Sequence, residues 1–85
     1  AKKIYFELKK YHKKNVFIKF AKYNQNLGTG DVMNTNYCKI SVCTSRNKKK
    51  VIIISAIDNL IKGASGQAVQ NMNVAFNLKE TMGLL

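Results

Sequence analysis

Nucleophiles, general bases and metal ligands are scarce in this 85-residue chain: two cysteines, one histidine and four carboxylates. Cys38 and Cys43 lie five positions apart in a segment patterned like a strand. That spacing separates them by roughly 16 Å and sends them to opposite faces. The Cα atoms of a disulfide lie within about 7 Å of each other, so no bridge between them is expected. A thiol pair left free favours a reducing, cytoplasmic setting. Structural zinc takes four ligands, with His12 the sole histidine, so no metal site is expected. His12 sits among lysines and reads as a solvated surface residue, and Cys43 as a small, partly buried hydrophobe. No Gly-x-Gly-x-x-Gly loop follows an opening strand; Gly63-Ala64-Ser65-Gly66 has two glycines in a different setting.

The informative chemistry is amide chemistry. From Gly63 to Leu78 the chain runs sixteen residues without a charge, in a sequence otherwise crowded with lysine. The stretch is rich in Gly, Ala, Ser, Gln and Asn. Glycines at 63 and 66 cost a helix on the order of 1 kcal/mol each relative to alanine, and their benefit is close approach of a ligand or another element. Asp58 to Asn73 therefore reads as a surface to be covered, with polar but non-ionic contacts.

The elements that must position this stretch follow from periodicity. Lys3 to Lys14 reads as an amphipathic helix, with Ile4, Leu8 and Tyr11 on one side and lysines opposite. Val16 to Phe20 reads as a strand. Asn24 to Asp31 is a loop by turn chemistry, and Asn34-Thr35-Asn36 continues it, asparagine tolerating left-handed backbone. Tyr37 to Thr44 alternates: Cys38, Ile40 and Val42 share one face, and Tyr37, Lys39, Ser41 and Cys43 the other. Ser45 to Lys50 suits a hairpin connection. Val51 to Ile57 is apolar on both faces and needs cover on both, more than one helix and a hairpin supply. A last helix starts near Asp58 or Asn59, either of which can cap it. Its expected apolar stripe is Leu60, Ala64, Ala68, Met72, Ala75 and Phe76, with Asn77 and Gly83 as stop signals. The order implies an α+β fold with a mainly antiparallel sheet and packed helices.

Eighty-five residues make one domain at most, with a limited core. A hydrophobic fraction of 46% is normal for a globular chain. The longest apolar run is too short to span a bilayer, and no signal-peptide pattern opens the sequence. The formal charge is +11, which raises nucleic acid or an anionic surface as a partner. A small basic nucleic-acid-binding module would stack bases on Tyr5, Tyr11, Phe17 and Tyr23 among the lysines. Against it, only Arg46 supplies the phosphate-matching fork, and the aromatics read more simply as core. Ten asparagines and eight isoleucines accompany the lysines. All three have A/T-rich codons, so a biased genome accounts for solvated lysines with no dedicated partner.

Ile57-Asp58-Asn59-Leu60-Ile61-Lys62-Gly63-Ala64-Ser65-Gly66-Gln67-Ala68-Val69-Gln70-Asn71-Met72-Asn73 resembles the C-terminal signature of N-acetyl-gamma-glutamyl-phosphate reductases, where a strand runs into D-N-L-x-K-G-A-[AS]-G-Q-A-x-Q-N-x-N. Phe76 to Leu84 is similar to that family's F-G-L-x-E-T-x-G-L terminus. Thr29 to Cys38 is similar to its T-K-x-V-x-G-[ST]-N-x-C. Leu27 stands where proline is usual, and Asn34 and Asn77 stand where glycine is.

The resemblance implies that residues 1–85 are a single C-terminal fragment of the semialdehyde-dehydrogenase catalytic and dimerisation domain. Residues 59–77 would be its last helix, and the dinucleotide-binding domain would be absent. It implies an NADP-dependent oxidoreductase of arginine biosynthesis that converts N-acetyl-glutamyl phosphate to its semialdehyde. A cysteine thiolate attacks the acyl phosphate there, the cofactor's hydride reduces the resulting thioester, and a histidine handles protons. Both catalytic residues lie upstream of the matched region, and Cys38 matches the family's non-nucleophilic cysteine. No catalytic residue is therefore expected in this chain, which should be inactive alone and hold no cofactor. By the same resemblance Asn59 would hydrogen-bond the NADP carboxamide, with Gly63 and Gln67 as weaker cofactor contacts; helix capping and interdomain packing are the alternatives for these three. Self-association as a dimer or larger is expected through the doubly apolar strand, with no membrane and no specific nucleic acid as partner. A stand-alone dimerisation module remains as a structural alternative.

Overall fold

The computed structural model describes residues 1–47 and 49–84. Lys48, within the hairpin connection expected over Ser45–Lys50, lies outside the described residues, as does Leu85. Helix α1 covers Lys2–Tyr11 and leads to strand β1, Ile18–Phe20. A loop with one 3-10 turn, Thr29–Val32, reaches strand β2, Cys38–Thr44. Strand β3, Val51–Ala56, follows, and a π-helical turn, Ile61–Ser65, opens directly into helix α2, Gly66–Ala75.

The sheet has the order β1-β2-β3. β1 pairs parallel to β2 over three residue pairs, and β2 pairs antiparallel to β3 over six. The sheet is thus mixed but mainly antiparallel, as the α+β pattern implied. Beyond β1 the chain still tracks β2: Ala21 N–H donates to Ile40 O and Asn24 N–H to Val42 O, both at 2.9 Å. This makes β2 the central strand. Ser41, Val42 and Cys43 are consecutive and all buried, so the middle of β2 is covered on both faces rather than half-buried.

The core is small: Tyr5, Phe17, Ala21, Val32, Val42 and Cys43. Tyr5 anchors α1, its hydroxyl donating to Ala21 O at 2.9 Å and its ring meeting Phe20 and Tyr23 edge-on. The expected Ile4, Leu8, Tyr11 side of α1 is displaced by one residue. Ile4 is 41% and Tyr11 81% exposed, while Tyr5 faces in. A tyrosine supplies both apolar area and a hydroxyl that satisfies a buried carbonyl, so it wins the inward position over Ile4.

Asparagine takes the left-handed corners. Asn24, Asn34 and Asn77 have φ of 66°, 61° and 56°. Two of these are the positions where the resembled reductases carry glycine, which is the other residue suited to that backbone. At Asn77 the helix end is a Schellman motif: Leu78 N–H donates to Asn73 O at 2.8 Å and Asn77 N–H to Val74 O at 3.3 Å.

Strand β3 is the exposed edge. Ile52 and Ile53 point to opposite faces and are 46% and 54% exposed. The need for cover on both faces is not met by the described residues. The dimensions agree. The radius of gyration is 14.3 Å, against about 12 Å for a compact chain of this length. The accessible area is 6346 Å², against roughly 5,100 Å² for a compact monomer of this mass. The excess is on the order of what one partner contributes to a stable interface.

Candidate functional site

The junction between β3 and the last helix is organised by Asp58. Its Oδ1 accepts the Leu60 N–H at 2.9 Å and its Oδ2 accepts the Asn34 N–H at 2.8 Å. Its backbone carbonyl accepts from Ile61 at 3.1 Å and Gly63 at 3.3 Å. One aspartate thus starts the helical run and ties it to the Asn34 loop. The N–H groups of Asn34, then Leu60 and Ile61, hold the Asp58 carboxyl below its ordinary value despite some opposing desolvation.

Because Asp58 does the capping, Asn59 does not. The Asn59 side chain leans over Gly63, where an added Cβ would meet its Oδ1 at 2.5 Å and its Cγ at 3.3 Å. Glycine at 63 makes room for this amide. Asn59, Gly63 and Gln67 follow at four-residue intervals and are all exposed, so they form one open stripe of amide and bare backbone. The structure brings Asn59 and Gly63 into contact; Gln67 lies a turn further along the run.

The opposite side of the same run is closed by a polar network. Lys62 Nζ donates to Gln70 Oε1 at 2.5 Å, and Asn36 Nδ2 donates to the same oxygen at 3.0 Å. Gln70 Nε2 donates to Glu80 Oε2 at 2.7 Å. Asn73 Nδ2 holds the C-terminal tail, donating to Glu80 O and Met82 O, each at 3.0 Å. Asn36 and Asn73 are each 1% exposed. Lys62 also sits over the Phe17 ring, 5.4 Å from its centroid, and is therefore an internal brace rather than a solvated or phosphate-seeking cation.

Gly66 is the close-approach glycine on this inner side. A Cβ there would run into Asn36 Oδ1 and would meet Ile61 O at 2.6 Å. The π turn supplies the geometry, since Gly66 N–H donates to Ile61 O, one residue further back than in an α-helix.

The expected apolar stripe of this helix faces outward. Leu60 is 77%, Met72 47% and Phe76 72% exposed, while Gly66 and Asn73 are buried. Polar residues face in because their partners, Asn36 and the tail carbonyls, are inside; the apolar side is left without cover among the described residues. Sequence reasoning passed over Gln70, Asn73 and Glu80 as network members. The signal available was an uncharged run in which Gly66, Gln70 and Asn73 recur at helical spacing, with Glu80 following.

Burial pushes the Cys38 thiol up, and the nearby Lys62 offsets only part of that; a raised thiol is the opposite of what an activated nucleophile needs. No group of three His, Cys, Asp or Glu among the described residues could hold a metal. No helix among the described residues is long and apolar enough to cross a membrane. Of the base-stacking set, Tyr5 and Phe17 are core residues, while Tyr11 is exposed.

Residues 1–59 match the family model of the semialdehyde dehydrogenase dimerisation domain. The chain is 51% identical over 75 residues to N-acetyl-gamma-glutamyl-phosphate reductase of Halothermothrix orenii, covering 88% of this chain and 22% of that relative. It is 45% identical to the same-named protein of Methanosphaera stadtmanae, covering 87% of this chain and 22% of the relative. The Jannaschia sp. reductase is 42% identical over all 85 residues, which make up 25% of its length. The chain therefore spans a quarter or less of these relatives. With more than half of its residues matched to one family model, and an α+β core to fit, it belongs to the semialdehyde dehydrogenase dimerisation-domain family.

Proposed function

We propose that this chain is the C-terminal, dimer-forming part of an NADP-dependent reductase that converts N-acetyl-glutamyl phosphate to its semialdehyde in arginine biosynthesis, in the cytoplasm. The observation that carries this is the match to reductases of that name over 87–100% of the chain. In the whole enzyme NADPH would supply the hydride. The residues here fit a supporting part. With capping taken over by Asp58, the Asn59 amide keeps both a donor and an acceptor, the complement of a carboxamide. Gly63 and Gln67 continue that open stripe along which the nucleotide would lie. The chain contributes positioning and no reacting group, and is inactive by itself. The uncovered faces of β3 and the outward side of α2 would be closed by a second copy and by the nucleotide-binding part of the enzyme.

The test is Asn59→Ala in the intact protein, with NADPH-dependent reduction of N-acetyl-glutamyl phosphate as the assay. A lost carboxamide contact raises the NADPH KM by roughly two- to ten-fold, given the 0.5–1.5 kcal/mol of a typical hydrogen bond, and leaves the acyl-phosphate KM in place. An unchanged NADPH KM with a lowered Tm would assign Asn59 to the helix alone. A wild-type protein that reduces a different acyl phosphate in preference would overturn the substrate assignment.

A further inference from the structure

Strand β1 pairs only with β2 and is the sheet's other edge. Phe17 O accepts from Cys38 N–H at 2.8 Å, and Ala21 N–H donates to Ile40 O at 2.9 Å. Odd-numbered residues therefore bond β2, and the backbone groups of the even-numbered ones point away from the sheet. Two of those outward groups are spent within the chain: Ile18 N–H donates to Asn15 O and Lys22 N–H to Gln25 Oε1, both at 3.1 Å. Between them stand Ile18 O, Phe20 N–H and Phe20 O, which take no partner among the described residues. One added antiparallel strand would use all three. Its residue opposite Phe20 exchanges two hydrogen bonds with it, and the N–H two positions further on reaches Ile18 O.

The surroundings of this edge are cationic on both faces. A cleft of about 240 Å³ adjoins it, lined by Lys9, His12, Lys13, Ile18, Lys19 and Phe20 and by no carboxylate. The α1 side of β1 carries Phe20, whose ring meets Tyr5 and His12. The other side carries Lys19, whose Nζ lies 5.2 Å from the Tyr37 ring centroid. Lysines beside an edge usually keep other strands off. They do so by charge, and charge selects. A second copy would bring the same lysines and be repelled. A nucleic-acid backbone or a lipid phosphate would satisfy the lysines but offers no N–H to the carbonyls of Ile18 and Phe20. This chain's own carboxylates, Glu7, Asp31, Asp58 and Glu80, are scattered and form no acidic strand. What answers both the open backbone groups and the lysines is an extended peptide rich in carboxylates.

We propose that β1 accepts an acidic extended segment of another polypeptide as an additional antiparallel strand. The segment's residue opposite Phe20 is apolar and packs on Phe20 and Ile18. Carboxylates on the residues around it reach Lys19 on one face and Lys9 and Lys13 on the other. The surface belongs to β1 and the end of α1, apart from the Asn59, Gly63, Gln67 stripe, and stands whether or not the reductase reading does.

The experiment is titration of the intact protein, labelled with 15N-phenylalanine, with the peptide acetyl-Glu-Glu-Val-Glu-Glu-amide. A saturable shift of the Phe20 N–H signal is expected, together with slower exchange of that proton, while Phe76 at the far end of α2 stays unmoved. The same peptide methylated on every backbone nitrogen keeps its charge and loses its N–H groups, and should leave Phe20 unshifted. Lys19→Glu changes an exposed side chain and should weaken peptide binding by about five-fold or more, through loss and reversal of a cross-strand charge pair. Equal shifts from the methylated peptide or from an oligothymidylate would mean that charge alone attracts ligands here, and would overturn the proposal. So would undiminished binding by the Lys19→Glu protein. No saturable shift at all would assign the lysines to guarding the edge and equally overturn it.

Discussion

On one side of the Ile61–Ala75 helical run, Gln70 and Asn73 are tied by hydrogen bonds to Asn36, Glu80 and the tail carbonyls, and Gly66 packs against Asn36. On the other, Asn59, Leu60, Gly63, Ala64, Gln67 and Ala68 are exposed. Apart from Lys62, which braces Gln70, both sides are uncharged and drawn from the same few residue types. The inner side is polar and finished; the outer side mixes apolar residues with amides and is open. One sequence run thus presents two unlike surfaces, one an internal brace and one open, separated by helical phase. The π turn at Ile61–Ser65 helps set that phase, because it shifts the register by one residue before α2 begins.

The largest expected effect breaks the inner side. Gly66→Ala forces a Cβ against Ile61 O and Ile61 C, at 2.6 and 2.8 Å, as well as against Asn36 Oδ1. Backbone atoms cannot step aside as a side-chain tip can, so a loss of about 3 kcal/mol is expected, read as a shift of the denaturant midpoint. A loss below about 1 kcal/mol would mean that the Asn36 contact is loose.

Asn73→Ala comes next. It leaves Glu80 O and Met82 O without their shared donor, at a cost of about 2 kcal/mol for unsatisfied buried groups. The tail should then exchange its amide protons faster than the sheet does. Uniform exchange across the chain would show that the tail is held by something other than Asn73.

Gly63→Ala sharpens the contrast, because its sign is opposite. The atom it would meet is the tip of the Asn59 side chain, which can rotate away. Helix propensity favours alanine by up to about 1 kcal/mol, so stability should hold or rise. Displacing Asn59 should still raise the NADPH KM of the intact enzyme. The same Gly→Ala change is thus expected to destabilise at 66 and not at 63.

How legible these features were depended on whether the partner lay inside the chain. Strands β1 to β3 and their order follow from alternation and β-branched runs, and the left-handed backbone at Asn34 from turn chemistry. The inward sides of α1 and of the last helix did not, for one reason. Periodicity marks the apolar stripe that some surface will cover, and here the cover for Leu60, Met72 and Phe76 is not within the described residues. Tyr5, read among the aromatics as core, was nonetheless left off the inward side of α1, because a hydroxyl, here satisfied by Ala21 O, makes it look less suited to burial than Ile4. The Asn59 cofactor role rested on resemblance; what the geometry adds is that Asp58 relieves Asn59 of capping, which no spacing rule distinguishes between adjacent Asp and Asn.

The smallest expected effect comes from pH, at the hinge between the two sides. The folded-state pKa of Asp58 is depressed, chiefly by the Asn34 N–H and then by Leu60 and Ile61. A depressed carboxylate stabilises the fold fully above its unfolded value, about 3.9. That contribution is lost as pH falls from there through the lower folded value. Because Asp58 joins the Asn34 loop to the helix start, protonation should loosen Asn34 and Leu60 together while the Gln70–Asn73 side holds. Amide exchange measured at pH 5 and again below 3.9 separates the two. Asp58→Asn should flatten the pH dependence at both N–H groups, since an amide does not titrate, although its single oxygen can accept from only one of them. If acid instead released Asn73 from the tail carbonyls before it loosened Asn34 and Leu60, the hinge would not lie at Asp58, and the division between a finished inner side and an open outer one would fail at its polar end.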